Sequence, residues 1–78
     1  MDEARLSELI SKLAHDLRSP LTALQGFSKT LVSRWDRFDD SQRLELVETI
    51  HSEAERMERV IADAVQSARS EVQRETDG

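Results

Sequence analysis

The sequence predicts an all-α protein, an antiparallel two-helix hairpin that homodimerises into a four-helix bundle. Charged residues make up 35% of the chain, which contains only two glycines and one proline. This composition is typical of long helices rather than of a sheet. Apolar residues recur at steps of three and four in both halves, as on one face of a helix. The 78-residue chain has no cysteine and hence no disulfide, so a second copy is expected to complete the core.

The first helix is predicted over about residues 2–34 from a heptad-like apolar stripe. The stripe consists of Leu6, Ile10, Leu13, Leu17, Leu24, Phe27 and Leu31, with Pro20 and Leu21 filling the gap between Leu17 and Leu24. Because the stripe continues past the proline, we expect one helix rather than two.

A turn is predicted at about residues 35–39, where the apolar period lapses and aspartates cluster. Asp39 is suited to be the N-cap of the second helix, because Gln42 follows three residues later as in a capping box. A connection this short makes the two helices antiparallel neighbours.

The second helix is predicted over about residues 40–72, so that one domain covers 1–72. Residues 73–78 are polar and have no apolar period, which indicates a tail or the start of a linker. The apolar stripe of the second helix consists of Leu44, Val47, Ile50, Ala54, Met57, Ile61, Ala64 and Ala68, widened by Val65 and Val72.

Several functional classes are disfavoured by composition. The net charge of −5 argues against nucleic-acid binding, which needs a basic surface. No apolar run approaches the ~20 residues of a membrane span, and the N-terminus lacks the features of a signal peptide. We therefore expect no membrane contact by this segment and a cytoplasmic location, although a longer parent protein would be free to carry an anchor elsewhere. Two scattered histidines and no cysteine predict no metal site.

Candidate chemistry lies around His15. At ~100° per residue, His15 is about 200° from both Leu13 and Leu17, so its imidazole is expected to point away from the apolar stripe. Asp16 follows directly, and its carboxylate can hold one ring nitrogen as N–H and raise the basicity of the other. An oriented neutral imidazole is a competent nucleophile toward phosphorus.

Two further features distinguish this segment from an ordinary solvated helix. Pro20 removes a backbone donor and clashes with the carbonyl of Asp16, so we predict a kink that acts as a hinge beside His15. Ser19, Thr22 and Gly26 lie on the face of His15. Their small side chains would leave a shallow surface where a partner protein can approach the imidazole.

The segment His15–Thr22 reads His-Asp-Leu-Arg-Ser-Pro-Leu-Thr and resembles the H-box of sensor histidine kinases at every position. The segment Glu45–Ile61 is similar to that family's second helix, where an Ile, then Glu-Ala-x-Arg and two apolar residues, occur in this order. The resemblance covers about Leu6 to Arg69 and implies a hairpin that dimerises into a four-helix bundle.

The resemblance also implies a reaction. His15 would accept the γ-phosphoryl group of ATP from a separate catalytic domain and pass it to an aspartate in the receiver domain of a response regulator. ATP and Mg²⁺ would be bound by that catalytic domain, since this chain has no Gly-rich loop to cradle phosphates. We therefore expect this segment to bind no cofactor itself and to be part of a protein-histidine kinase that is inactive without the catalytic domain.

Roles for the other residues follow from the same resemblance. Asp16 would assist the attacking imidazole, and Arg18 would either pair with phosphoryl oxygens or remain a solvated charge. Ser19 matches the position that orients a water for dephosphorylation of the response regulator, where Thr or Asn is more usual. Thr22 and Gly26 would lie on the surface that the response regulator contacts.

Two alternatives are consistent with the helical pattern alone. One is a structural helical dimerisation module without chemistry, against which only the His15–Thr22 segment argues. The other is a stand-alone histidine phosphotransfer protein, which usually has four or more helices in one chain, whereas this chain has length for two. A stable monomer would favour the second alternative or a different assembly.

Overall fold

The computed structural model describes residues 1–77 as two long helices joined by a short turn. Helix α1 spans Glu3–Ser33, a single 3₁₀ turn spans Trp35–Arg37, and helix α2 spans Asp40–Asp77. The hairpin measures 59 × 18 × 11 Å, so its thickness is that of one helix. The predicted all-α hairpin is confirmed.

Contacts at the open end of the hairpin establish that the helices are antiparallel. Arg5, in the first turns of α1, forms an ion pair of 3.0 Å with Glu71 near the end of α2. The amino group of Met1 contacts the carboxylate of Glu75. The start of α1 therefore lies beside the end of α2.

Helix α1 begins with a side-chain cap and ends close to the predicted residue. The carboxylate of Asp2 accepts a hydrogen bond of 2.7 Å from the backbone N–H of Arg5, which satisfies one of the free donors of the first turn. At the other end, Arg34 leaves the helix with φ −126°. Its N–H still donates to the carbonyl of Thr30 at 3.0 Å.

The turn is closed by Arg43, which extends back from the start of α2. Its guanidinium donates twice to the carbonyl of Trp35, from Nη2 at 2.8 Å and from Nε at 3.1 Å. The same group lies 4.4 Å from the centroid of the Trp35 ring, within the range of a cation–π contact. One side chain thus fixes the 3₁₀ turn against the helix that follows it.

The predicted capping box is present at the start of α2. Asp39 Oδ1 accepts a hydrogen bond of 2.8 Å from the Gln42 N–H, and Gln42 Oε1 accepts one of 3.0 Å from the Asp39 N–H. Two backbone donors are thereby satisfied reciprocally. The prediction that the second helix starts at about residue 40, after an N-cap at Asp39, is confirmed.

Replacing Asp39 by alanine is expected to destabilise the protein by ~1 kcal/mol, the usual effect of losing an N-cap. Denaturant unfolding at a fixed protein concentration measures it, with Asp36→Ala in the preceding 3₁₀ turn as the control. Equal midpoints for the two variants would contradict a stabilising role for the box.

The end of α2 differs from the prediction, because residues 73–77 are helical instead of forming a non-helical tail. The segment contains no proline or glycine that would stop a helix. The side-chain amide of Gln73 donates to both carboxylate oxygens of Asp77, at 3.0 and 3.1 Å. The Thr76 hydroxyl donates to the Val72 carbonyl at 3.0 Å. These local bonds extend the helix without an apolar stripe. Gly78 lies outside the described residues.

The apolar side chains differ in exposure, and within residues 1–77 none of them forms a buried core. One set is half-buried, including Leu13, Leu17, Ile50 and Met57. The second set, which we call the open apolar face, remains 43% to 58% exposed. It consists of Leu6, Ile10, Leu21, Leu44, Val47, Ile61, Val65 and Val72. Within residues 1–77, no helix combines the length and apolar character that crossing a membrane requires.

Candidate functional site

His15 lies in the middle of α1 and is exposed. The predicted orientation of its imidazole away from the helix–helix contact is therefore confirmed. An exposed imidazole on a continuous helix is accessible to a protein or domain that approaches from the side.

Asp16 is half-buried and hydrogen-bonded to Lys12, one turn earlier on α1. The distance between Lys12 Nζ and Asp16 Oδ2 is 2.6 Å. The hydrogen bond from Lys12 holds the pKa of the Asp16 carboxyl below its usual value, while partial desolvation acts in the opposite direction. The same bond raises the pKa of Lys12. The carboxylate is thus ionised, and its hydrogen-bond partner is Lys12 rather than His15.

Replacing Lys12 by methionine is expected to raise the pKa of Asp16 toward the ordinary value near ~3.9. A lowered folded-state pKa adds stability above the unfolded value, and this stability disappears as pH falls through the folded value. The Lys12–Asp16 pair therefore stabilises the fold at neutral pH, and this contribution decreases as the pH falls below about 4 and through the lowered pKa of Asp16. An NMR titration of the Asp16 carboxyl carbon measures the shift, with Lys29→Met as control. An unchanged Asp16 titration in Lys12→Met would refute this account.

Ser19 follows His15 by one helical turn, and its hydroxyl accepts a hydrogen bond from α2. Arg56 Nη2 donates to Ser19 Oγ at 2.8 Å. The distance between Arg56 Nε and Glu53 Oε2 is 3.4 Å. That carboxylate oxygen is buried and lies outside hydrogen-bond geometry, so the contact is an ion pair only. Sequence reasoning missed Arg56, because its contact with residue 19 depends on the register of the two helices.

Pro20 is the one residue among 1–77 that is fully buried. Helix α1 continues through it, which confirms that the proline does not mark a helix end. It follows His15 by five residues, about 140° around the helix at ~100° per residue. The ring therefore faces the helix–helix contact while His15 faces outward. The hinge role of Pro20 stays a prediction.

The remaining predicted site residues share an exposed surface with His15. Arg18, Ser19, Thr22 and Gly26 are all exposed. At ~100° per residue, Ser19, Thr22 and Gly26 lie within about 40° of His15 around the axis. A Cβ atom added at Gly26 would meet nothing within 4 Å. Packing within the hairpin therefore does not require glycine at this position.

A cleft between the helices includes Asp16 on its wall. Its volume is about 110 Å³, which is well below the ~300–1,000 Å³ of typical small-molecule sites. Lys12 and Asp16 face it from α1, and Asp63 and Ser67 face it from α2. This cleft, which His15 does not line, is too small to hold a nucleotide.

Comparison with known proteins agrees with this geometry. Residues 5–73 match the His Kinase A (phospho-acceptor) domain family. The chain is 35% identical over 69 residues to a sensor-like histidine kinase of Porphyra purpurea, covering 88% of this chain and 10% of that protein. It is 37% identical over 67 residues to the adaptive-response sensory kinase SasA of Microcystis aeruginosa, covering 81% and 17%. It is also 38% identical over 73 residues to the sensor protein IrlS of Burkholderia pseudomallei, covering 91% and 15%.

The chain thus spans at most about a sixth of the length of these three relatives, 10%, 17% and 15% respectively. No solved structure gives a significant match. The family match covers the turn and nearly all of both helices, and it contains the exposed histidine with its neighbours. This chain belongs to the His Kinase A (phospho-acceptor) domain family.

Proposed function

We propose that His15 accepts the γ-phosphoryl group of ATP and passes it to an aspartate in the receiver domain of a response regulator. The observation that carries the proposal is the exposure of His15 on a continuous helix, inside a segment that matches the phospho-acceptor family. His51, the other histidine, lies on α2 with its Nε2 atom 3.2 Å from Glu55 Oε1, and it lies outside the His15–Thr22 segment that resembles the H-box.

In the forward step, an imidazole nitrogen of His15 forms a bond to phosphorus while the bond from phosphorus to the β,γ-bridging oxygen breaks and ADP leaves. The other ring nitrogen carries the N–H proton, which it either keeps or loses as the bond to phosphorus forms. The ionised Asp16 carboxylate is the nearest acidic neighbour along the chain. Lys12 bonds its Oδ2 atom, so Oδ1 is left for the imidazole N–H. In this role Asp16 supports the nucleophile by general base assistance.

The donor nucleotide must come from elsewhere in the kinase. The cleft beside Asp16 is too small for ATP, and the sequence has no Gly-rich phosphate loop. We therefore assign ATP and Mg²⁺ to a separate catalytic domain that docks at the exposed face of α1. Since ATP is a cytoplasmic nucleotide, we propose that this segment and the catalytic domain both lie in the cytoplasm.

Dimerisation follows from the open apolar face. A single hairpin leaves these side chains in water, and within residues 1–77 Pro20 is its one buried residue. On α2 they are separated by three, four or multiples of seven residues, which is the spacing of a coiled-coil seam. Two copies placed face to face would bury both seams in a four-helix bundle. We propose a homodimer as the working form.

The response regulator is proposed to dock on the surface formed by His15, Ser19, Thr22 and Gly26. The small side chains around the imidazole let a receiver domain bring its aspartate close to phosphohistidine. Ser19 has a hydroxyl at the position that would orient a water for the reverse, dephosphorylating reaction. Pro20, buried behind this surface, is proposed to let α1 bend as the two partners alternate.

A chimaeric kinase tests the proposed phosphoacceptor function. In the Microcystis aeruginosa kinase, the matching segment is replaced by this chain, and the product is incubated with radiolabelled ATP and Mg²⁺. We expect label that is lost in acid and retained in alkali, as for the unmodified kinase. A chimaera that is dimeric and binds ATP but takes up no label would instead support the structural dimerisation module.

Replacing Asp16 by asparagine in the same chimaera is expected to slow labelling by about 10²-fold, the lower range for loss of a general acid or base. The dimer should persist, because the amide is isosteric and half-exposed. Asp63→Asn is the matched control, since Asp63 lines the same cleft from α2. Labelling at the parental rate in Asp16→Asn would remove the assisting role.

A further inference from the structure

Arg56 is the one α2 side chain within residues 1–77 that hydrogen-bonds to the surface around His15. Among these residues, the other hydrogen bonds between residues 1–33 and α2 side chains lie at the open end of the hairpin, from Met1, just before α1, and from Arg5. The Arg56 bond to Ser19 lies in the middle of α1 instead. It ends one turn beyond His15, roughly 6 Å further along the helix axis at 1.5 Å per residue.

The guanidinium of Arg56 has donors to spare. It carries five N–H groups, of which Nη2 donates to Ser19. The ion pair with Glu53 keeps the group at this position without a hydrogen bond of good geometry. The side chain is 44% exposed, so the unused donors can be reached by another acceptor.

Ser19 is a weak acceptor compared with a phosphoryl group. A neutral hydroxyl offers a hydrogen bond without charge, whereas a phosphoryl group offers three charged oxygens to a guanidinium fork. Lys12 is bonded to the Asp16 carboxylate and is therefore less free to turn toward His15. Arg18 is exposed and lies on α1 itself, so Arg56 is the cation that α2 contributes.

We infer that Arg56 is a positioning residue for the phosphorylated state, whose guanidinium exchanges the Ser19 hydroxyl for a phosphoryl oxygen on phosphorylated His15. The inference rests on the proposed function of His15. In this arrangement, residues of both helices form the site. Arrival of the phosphoryl group is then coupled to release of the Ser19 hydroxyl. When the phosphoryl group arrives, Arg56 holds it and Ser19 Oγ is released. When the group leaves, Arg56 returns to Ser19.

The test uses this chain with His51→Gln, so that His15 is its only histidine. Phosphoramidate phosphorylates the imidazole directly: a new P–N bond forms to the ring, the P–N bond of the reagent breaks, and ammonia leaves. Phosphorus NMR then follows the titration of the phosphohistidine. A cation held at the phosphoryl group disfavours protonation, so Arg56 should lower the pKa of the phosphohistidine.

In Arg56→Ala, we expect this pKa to rise by about half a unit to one unit, as for loss of a partly exposed cation. Arg56→Lys should retain part of the effect, because it keeps the charge but loses the fork. Arg59→Ala, an exposed arginine on the next turn of α2, should match the parent. In the parent, the Nε–H resonance of Arg56 should shift on phosphorylation, and that of Arg59 should not.

Equal phosphohistidine pKa values in the parent and Arg56→Ala, with an unshifted Arg56 resonance, would overturn the inference. That result would leave the proposed function intact, because the phosphoramidate reaction needs neither ATP nor a catalytic domain. Absence of ATP-dependent label in the chimaera, by contrast, would contradict the proposed function, and the phosphoramidate experiment would still test the Arg56 contact by itself. Circular dichroism of each variant confirms that the helices are retained.

Discussion

Replacing His15 by glutamine is expected to abolish acid-labile labelling and to leave the helices and the dimer in place. Glutamine has no nitrogen that can attack phosphorus, because its amide lone pair is delocalised. His15 is exposed on α1, and substitutions at such positions usually change stability by no more than about 0.5 kcal/mol. Glutamine also has a slightly higher helix propensity than histidine. The chemical and structural effects of this substitution should therefore separate cleanly.

The chimaeric kinase measures the labelling, and circular dichroism with sedimentation measures fold and assembly. His51→Gln is the matched control, because it removes the other histidine from an exposed position on α2. We expect full labelling in His51→Gln and none in His15→Gln. Label that persists in His15→Gln would place the phosphoacceptor elsewhere and refute the assignment.

Replacing Ile61 by aspartate is expected to dissociate the dimer and to destabilise the fold by roughly 3–5 kcal/mol. Ile61 belongs to the open apolar face and is 44% exposed in the single hairpin. In a four-helix bundle it would be buried against the second copy, where an unpaired carboxylate is strongly unfavourable. If the hairpin were the working form, the same change would have little effect.

Sedimentation equilibrium and thermal melting at several protein concentrations measure this effect. The control is Val32→Asp, which introduces the same charge at a β-branched residue that is 80% exposed and lies off the apolar face. For the parent and Val32→Asp we expect a melting temperature that rises with concentration, as mass action requires of a dimer. An Ile61→Asp chain that remains dimeric, with parental melting, would exclude this face as the interface.

Features that depend on neighbours in the sequence were predictable. The capping box at Asp39 and Gln42 was identified from a spacing of three residues, because both of its bonds are local. The continuity of α1 through Pro20 followed from the apolar residues beyond it. In contrast, the helical end at Asp77 was missed, because the prediction relied on an apolar period that local polar bonds do not need.

Contacts of the candidate site were harder to predict. Adjacent residues on a helix do not face each other, whereas residues four apart do. Asp16 accordingly pairs with Lys12, four residues earlier. The sequence had suggested a contact between Asp16 and the adjacent His15 instead. The contact of Arg56 with Ser19 spans two helices. Its prediction needs the relative register of α1 and α2, which the apolar stripes define only to within a helical turn.

The turn has a practical consequence that follows from its composition. Trp35 is the only tryptophan and the chain has no tyrosine, so the intrinsic fluorescence comes from one indole at the closed end of the hairpin. Arg43 covers that ring at 4.4 Å, so opening of the turn should change the emission. Comparing this optical signal with helix-averaged dichroism during heating would show whether the closed end melts with the rest of the molecule or ahead of it.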